Sequence, residues 1–89
     1  MHFEWDERKA SANLRKHGVS FDEAKTVFDD ENVKVSSDPQ HSDDEDRFIA
    51  LGLSTKFRLL LICHCYRRND IIRIYSARKA TALEAQAYN

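Results

Sequence analysis

Three cations fall within the short stretch Arg73-Ile74-Tyr75-Ser76-Ala77-Arg78-Lys79. Arginine offers a planar fork that matches phosphate oxygens, and lysine adds a point charge, so the chemistry suggested is anion binding. Ser76 is a good helix N-cap, and residues 77–88 hold no Gly or Pro and are rich in Ala, Leu, Glu and Gln, which predicts a helix there. Arg78 and Lys79 would then sit in its first turn, against the helix dipole but beside unpaired backbone N–H groups, as in an anion site. Solvated cations that the helix tolerates at a cost of a few tenths of a kcal/mol are the alternative. Arg73, on the strand leading in, would be a third cation.

Proton transfer needs a partner for these charges, and His64 and Tyr88 are the candidates. An imidazole works as acid and base near neutrality. His64 shares a strand face with Leu60 and Ile62, so a packed core histidine is the competing reading. In Cys63-His64-Cys65 the two cysteines share one strand face and the histidine points to the other, so the three do not converge on a metal. Both cysteines are expected to be buried, reduced core residues without metal. His41, in an acidic loop, is a second acid–base candidate, and His17 reads as a packing or capping residue.

The chain has no Gly-rich phosphate loop, nucleophile elbow or zinc-protease signature. Arg, Lys, His and Tyr without metal or nucleophile suit RNA cleavage by its own 2′-OH, which needs proton transfer and cations for the pentacovalent phosphate. No cofactor is expected.

The elements that must position these residues can be read in order. Phe3 and Trp5 alternate with Glu4 in a short N-terminal strand. Asp6 caps a helix that runs to His17 and stops at Gly18, with Ala10, Leu14 and His17 as its buried stripe. Ser20 and Glu23 form a capping box for a second helix whose apolar face is Phe21, Ala24, Val27 and Phe28. A short strand around Val33 and Val35 precedes the loop Ser37 to Asp46, which holds the single proline and five acids. A metal site in this loop is disfavoured because the spacing and the glycine of a calcium loop are missing, so it reads as a solvated hairpin connection. Three strands follow, Arg47 to Leu53, Phe57 to Tyr66 and Ile71 to Tyr75, joined by hairpin-length turns and therefore antiparallel. The fold expected is α+β: a short N-terminal strand, two helices, an antiparallel sheet of about four strands and a C-terminal helix, in one domain over residues 1–89.

The net charge is −1 for 89 residues, but it is polarised: +1 over residues 1–20, −8 over 21–46 and +6 over 47–89. A basic C-terminal half suits nucleic acid. No apolar run reaches the ~20 residues of a membrane span and no signal peptide is visible, so a cytoplasmic protein is expected.

The chain resembles the BrnT toxin family. The resemblance rests on Phe3-Glu4-Trp5-Asp6, Asn13-Leu14-Arg15-Lys16-His17-Gly18-Val19-Ser20-Phe21, Phe28-Asp29-Asp30, Arg47-Phe48-Ile49-Ala50-Leu51-Gly52 and Arg73-Ile74-Tyr75-Ser76-Ala77-Arg78-Lys79-Ala80. It implies a RelE-like fold and a ribonuclease that is the toxin of a type II toxin–antitoxin module. It further implies a BrnA-type antitoxin as partner in a hetero-oligomer, RNA as substrate, and DNA only indirectly through the antitoxin. The antitoxin is expected to cover the basic surface of residues 47–89. Family members usually carry several arginines in the last helix, around a Tyr near the end. Here Tyr88 remains but no cation follows Lys79, which implies a weakened ribonuclease or, alternatively, a protein acting mainly as an antitoxin-binding partner in a repressor complex. On the leading reading Arg73, Arg78 and Lys79 bind the scissile phosphate and His64 or Tyr88 moves the proton.

Overall fold

The computed structural model describes residues 1–41 and 45–89, so Asp43 and Asp44 of the acidic loop lie outside it. The chain opens with strand β1 (His2–Glu4) and helix α1 (Glu7–His17). Asp6 caps α1 by accepting from the backbone N–H groups of Arg8 and Lys9, which holds its carboxyl below the usual range. Gly18 ends the helix at φ 70°, a left-handed conformation suited to glycine, and its N–H returns to the Leu14 carbonyl at 2.9 Å. Helix α2 (Phe21–Lys25) follows and tightens into a 3₁₀ turn over Thr26–Asp29. Ser20 caps it as expected, accepting from the Glu23 N–H at 3.0 Å. The other half of the expected box is not made. Glu23 turns away to bind Ser54 and Arg58.

Strand β2 (Lys34–Ser37), a 3₁₀ turn at Pro39–His41, and strands β3 (Phe48–Leu53), β4 (Leu59–Arg67) and β5 (Ile71–Lys79) complete the sheet. Its order is β1-β5-β4-β3-β2. The hairpin neighbours are antiparallel as the short turns predict, but β1 joins β5 in parallel, so the sheet is five-stranded and mixed. Phe57 is excluded from β4: it is exposed, in the turn, at φ 61°.

The predicted C-terminal helix needs the largest correction. β5 runs through Ser76 to Lys79, because Ala77, Arg78 and Lys79 pair with Ile62, Leu61 and Leu60 of β4. The helix α3 covers Ala82–Ala85 and a 3₁₀ turn covers Gln86–Tyr88, with Thr81 rather than Ser76 as N-cap. Thr81 and Glu84 make a complete capping box, and Thr-x-x-Glu was the signal for it. Arg78 and Lys79 are therefore strand residues, and the helix-terminus anion site is withdrawn.

One sheet face carries the core. Ala50, Leu60, Ile62, Ile72, Ile74 and Ala77 are buried against Val19, Phe21, Ala24 and Val27 of the helical layer, with Phe3, Trp5 and Phe28 packed around them. Gly52 allows this approach: a Cβ there would lie 2.7 Å from a methyl of Val27. In α1 the buried stripe is centred on Asn13, while Leu14 is exposed. β1 pairs with Ile71–Arg73 and stops; farther along β5 the Asn13 amide takes the place of a neighbouring strand. It donates to the Ala77 carbonyl at 2.8 Å and accepts from the Ala77 N–H at 3.1 Å. It also donates to the Val19 carbonyl at 2.9 Å, so removing it would leave three buried backbone groups unpaired, at about 1–3 kcal/mol each. Among the described residues, no helix is long and apolar enough to cross a membrane.

Candidate functional site

The other sheet face is not covered by α1 and α2, and it holds the candidate site. Across β3, β4 and β5 the register sets Ile49 beside Cys63 and Cys63 beside Ser76, with Leu51, Leu61 and Arg78 in the next row. Ile49, Leu61 and Cys63 on this face form the apolar floor of a trough of about 500 Å³. Its polar rim comes from five segments: Lys9 of α1, Asp38 and His41 around the 3₁₀ turn, Arg47 before β3, Tyr75 and Arg78 of β5, and Glu84 of α3.

Tyr75 reaches the trough through a backbone irregularity. Cys63 pairs with Ser76 but His64 pairs with Ile74, which leaves Tyr75 as the extra residue of a β-bulge. The Arg47 guanidinium lies 3.9 Å and the Lys9 ammonium 5.3 Å from its ring centre, cation–π contacts that gather both charges at one place. Its hydroxyl donates to Glu45 and lies 3.2 Å from the Cys65 sulfur. Burial, then these two hydrogen bonds, push its pKa up to about 12, so the phenol stays protonated at neutral pH.

His41 is oriented by a carboxylate. Its Nδ1 is 2.7 Å from Oδ2 of Asp38, and the Asp38 side chain is largely buried while the imidazole is mostly exposed. A histidine held through Nδ1 presents Nε2 outward, the arrangement of an imidazole prepared to take or give a proton. Arg78 completes the rim, with both Nη atoms 2.8 Å from the two carboxylate oxygens of Glu84.

Of the five residues proposed from sequence, Arg78 lines this trough and the other four lie elsewhere. His64 is 0% exposed, on the core face. Its Nε2 lies 3.2 Å from the Tyr66 hydroxyl, and its ring meets Phe28 edge-on at 4.9 Å. Burial lowers its pKa, so the neutral imidazole serves as a core residue. Arg73 pairs in register with Cys65 rather than His64, and its guanidinium binds Glu4 at 2.8 Å. Lys79 is exposed at the end of β5. Tyr88 donates to Asp30 at 2.5 Å, tying the C-terminal turn to the carboxylate that also accepts from the Leu53 N–H. Cys63 departs from expectation in being half-buried, on the trough floor, whereas Cys65 is buried; both are free thiols. Burial raises the Cys63 thiol pKa.

Sequence reasoning gave His41 a minor role and did not place Lys9 or Arg47 at a site. For His41 a local signal existed, an aspartate three residues earlier across Pro39. Lys9 and Arg47 carry none, since they converge on Tyr75 only through the fold. Among the described residues, no group of His, Cys, Asp and Glu is arranged to hold a metal.

Fold and trough together define a small α+β protein with a cationic cleft on a bare sheet face, suited to a phosphate-bearing ligand. The family model for the BrnT ribonuclease toxin of type II toxin–antitoxin systems matches residues 5–84. The chain belongs to this family. The crystal structure of the Brucella abortus ribonuclease toxin BrnT has the same fold, with a TM-score of 0.70, 23% identity, and coverage of 91% of this chain and 97% of that one. No curated protein sequence matches.

Proposed function

We propose that this protein is an endoribonuclease toxin that cleaves RNA without a metal, in the cytoplasm, by attack of the 2′-OH on the adjacent phosphate. The observation that carries this reading is the Asp38–His41 pair on the rim of a trough shared with Lys9, Arg47 and Arg78. His41 Nε2 takes the 2′-OH proton, O2′ bonds to phosphorus, and the bond to O5′ breaks. Arg78, Arg47 and Lys9 balance the charge that builds on the phosphorane oxygens. Tyr75, still protonated, is the donor for the departing 5′-oxygen once its hydroxyl turns from Glu45. The products are a 2′,3′-cyclic phosphate and a 5′-hydroxyl. A BrnA-type antitoxin neutralises the toxin by covering this basic face within a hetero-oligomer, and contacts to DNA run through the antitoxin.

The test is expression of the chain alone, followed by assay of the purified protein on single-stranded RNA. Growth arrest and cyclic-phosphate products that survive EDTA are expected. His41→Ala should lower cleavage by ~10²-fold or more, the usual worth of a positioned acid–base group, with an unchanged melting temperature. Wild-type cleavage by His41→Ala would remove the histidine from the mechanism. The absence of cleavage by the unmodified chain would favour the role of antitoxin-holding partner.

A further inference from the structure

The cations of the trough are held in two different ways. Lys9 and Arg47 lie over the Tyr75 ring in cation–π contact. Arg78 instead faces a carboxylate that meets it end-on, Nη1 to Oε1 and Nη2 to Oε2, both at 2.8 Å. Glu84 lines the trough and also the adjoining aliphatic groove of Val35, Leu51 and Ala87. It therefore stands between the two hollows of the bare face.

The segment that carries Glu84 is lightly held. All four residues of α3 are exposed or half-buried, and Leu83 is 77% exposed. A helix this short has little stability of its own, and its tethers are the Arg78 pair, the Tyr88–Asp30 hydrogen bond and the Ala80 N–H to the Leu59 carbonyl. The Glu84 carboxylate has a second partner that would remain if Arg78 let go: Oε1 accepts from the Thr81 N–H at 2.9 Å, closing the capping box. A phosphate presents two oxygens to an arginine fork in the geometry a carboxylate uses. Exchange of one for the other keeps both Nη groups paired and leaves the cap of α3 intact.

We infer that Arg78 is a phosphate subsite for RNA that the chain holds shut with its own Glu84 carboxylate. This rests on the ribonuclease reading and adds its regulation: the resting site is self-blocked, and an RNA phosphate, with Lys9 and Arg47 drawing in its neighbours, displaces the glutamate.

Glu84→Gln tests it, because glutamine also serves in a capping box and removes the charge alone. The probe is a single-stranded RNA carrying 2′-O-methyl groups, which binds without being cleaved. Glu84→Gln should bind it about tenfold more tightly than the unmodified chain, as expected when one like charge leaves a phosphate's seat. The gain should vanish in Arg78→Ala/Glu84→Gln, which should bind no better than Arg78→Ala. Equal or weaker binding by Glu84→Gln, or its melting below the assay temperature, would make the pair a structural strut and overturn the inference. Failure of the ribonuclease reading looks different: neither the unmodified chain nor Glu84→Gln would bind the probe at low salt, and both proposals would fall.

Discussion

Two arginine–glutamate pairs in this molecule use the same chemistry for different ends. Arg58 and Glu23 meet across 35 residues of sequence, with the Glu23 side chain 2% exposed and that of Arg58 28% exposed. Arg78 and Glu84 are six residues apart, 38% and 30% exposed. The first pair is an anchor. Glu23 also accepts from the Ser54 hydroxyl at 2.7 Å, and Arg58 donates to the Gly18 carbonyl at 3.0 Å, so one guanidinium joins the corner between α1 and α2 to the β3–β4 turn. The second pair joins β5 to a short, lightly held segment on the rim of the trough. Burial separates an ion pair that holds the fold from one that a ligand can exchange.

Breaking each pair should give opposite outcomes. Glu23→Ala should have the largest effect, about 3 kcal/mol of stability, the low end for breaking a buried pair because Arg58 can rehydrate. Calorimetry should find a melting temperature lower by roughly 15 °C. A shift of a few degrees would place Glu23 among surface groups and erase the contrast. Arg78→Ala should instead cost at most ~1 kcal/mol of stability, because the pair is solvent-accessible, and lower RNA cleavage by ~10²-fold, about 2.7 kcal/mol of transition-state stabilisation. Arg73→Ala sharpens the point. It removes a cation bound to Glu4 outside the trough, so it should cost at most ~1 kcal/mol of stability and leave kcat/KM within about twofold of the unmodified chain. A loss of cleavage as large as that of Arg78→Ala would return Arg73 to the site.

The smallest expected effect is on acid sensitivity. Arg58 lowers the Glu23 pKa, and Arg78, then the Thr81 N–H, lower that of Glu84 from 4.5 to about 2. A carboxyl with a depressed folded pKa adds stability that is fully present above its unfolded value and is lost as pH falls through the folded one. For Glu84 that window runs from 4.5 down to about 2. Melting curves of Glu84→Gln should therefore fall less steeply with acid in this window than those of the unmodified chain. The difference should shrink in salt, because the pair is solvent-accessible. Identical slopes would mean the pair is not populated in solution.

The sequence determined by itself those features that neighbouring residues settle. Asp6 and Gly18 delimit α1, and Ser20 starts α2, because capping bonds reach at most a few residues. Short polar turns made the three long strands antiparallel neighbours. The family resemblance also rested on local motifs. Tertiary structure decided what depends on partners far along the chain. Ala77 to Lys79 are good helix formers after a good cap, yet they pair with β4, where Ala77 fills the core and Asn13 satisfies its backbone. The bulge at Tyr75 shifted the register by one residue, which put Arg73 on the face opposite His64 and brought the phenol under Lys9 and Arg47. A one-residue slip moves every later side chain across the sheet. Capping is a contest between adjacent groups. Register is set by the whole core, so the site could be assembled only once the strands were paired.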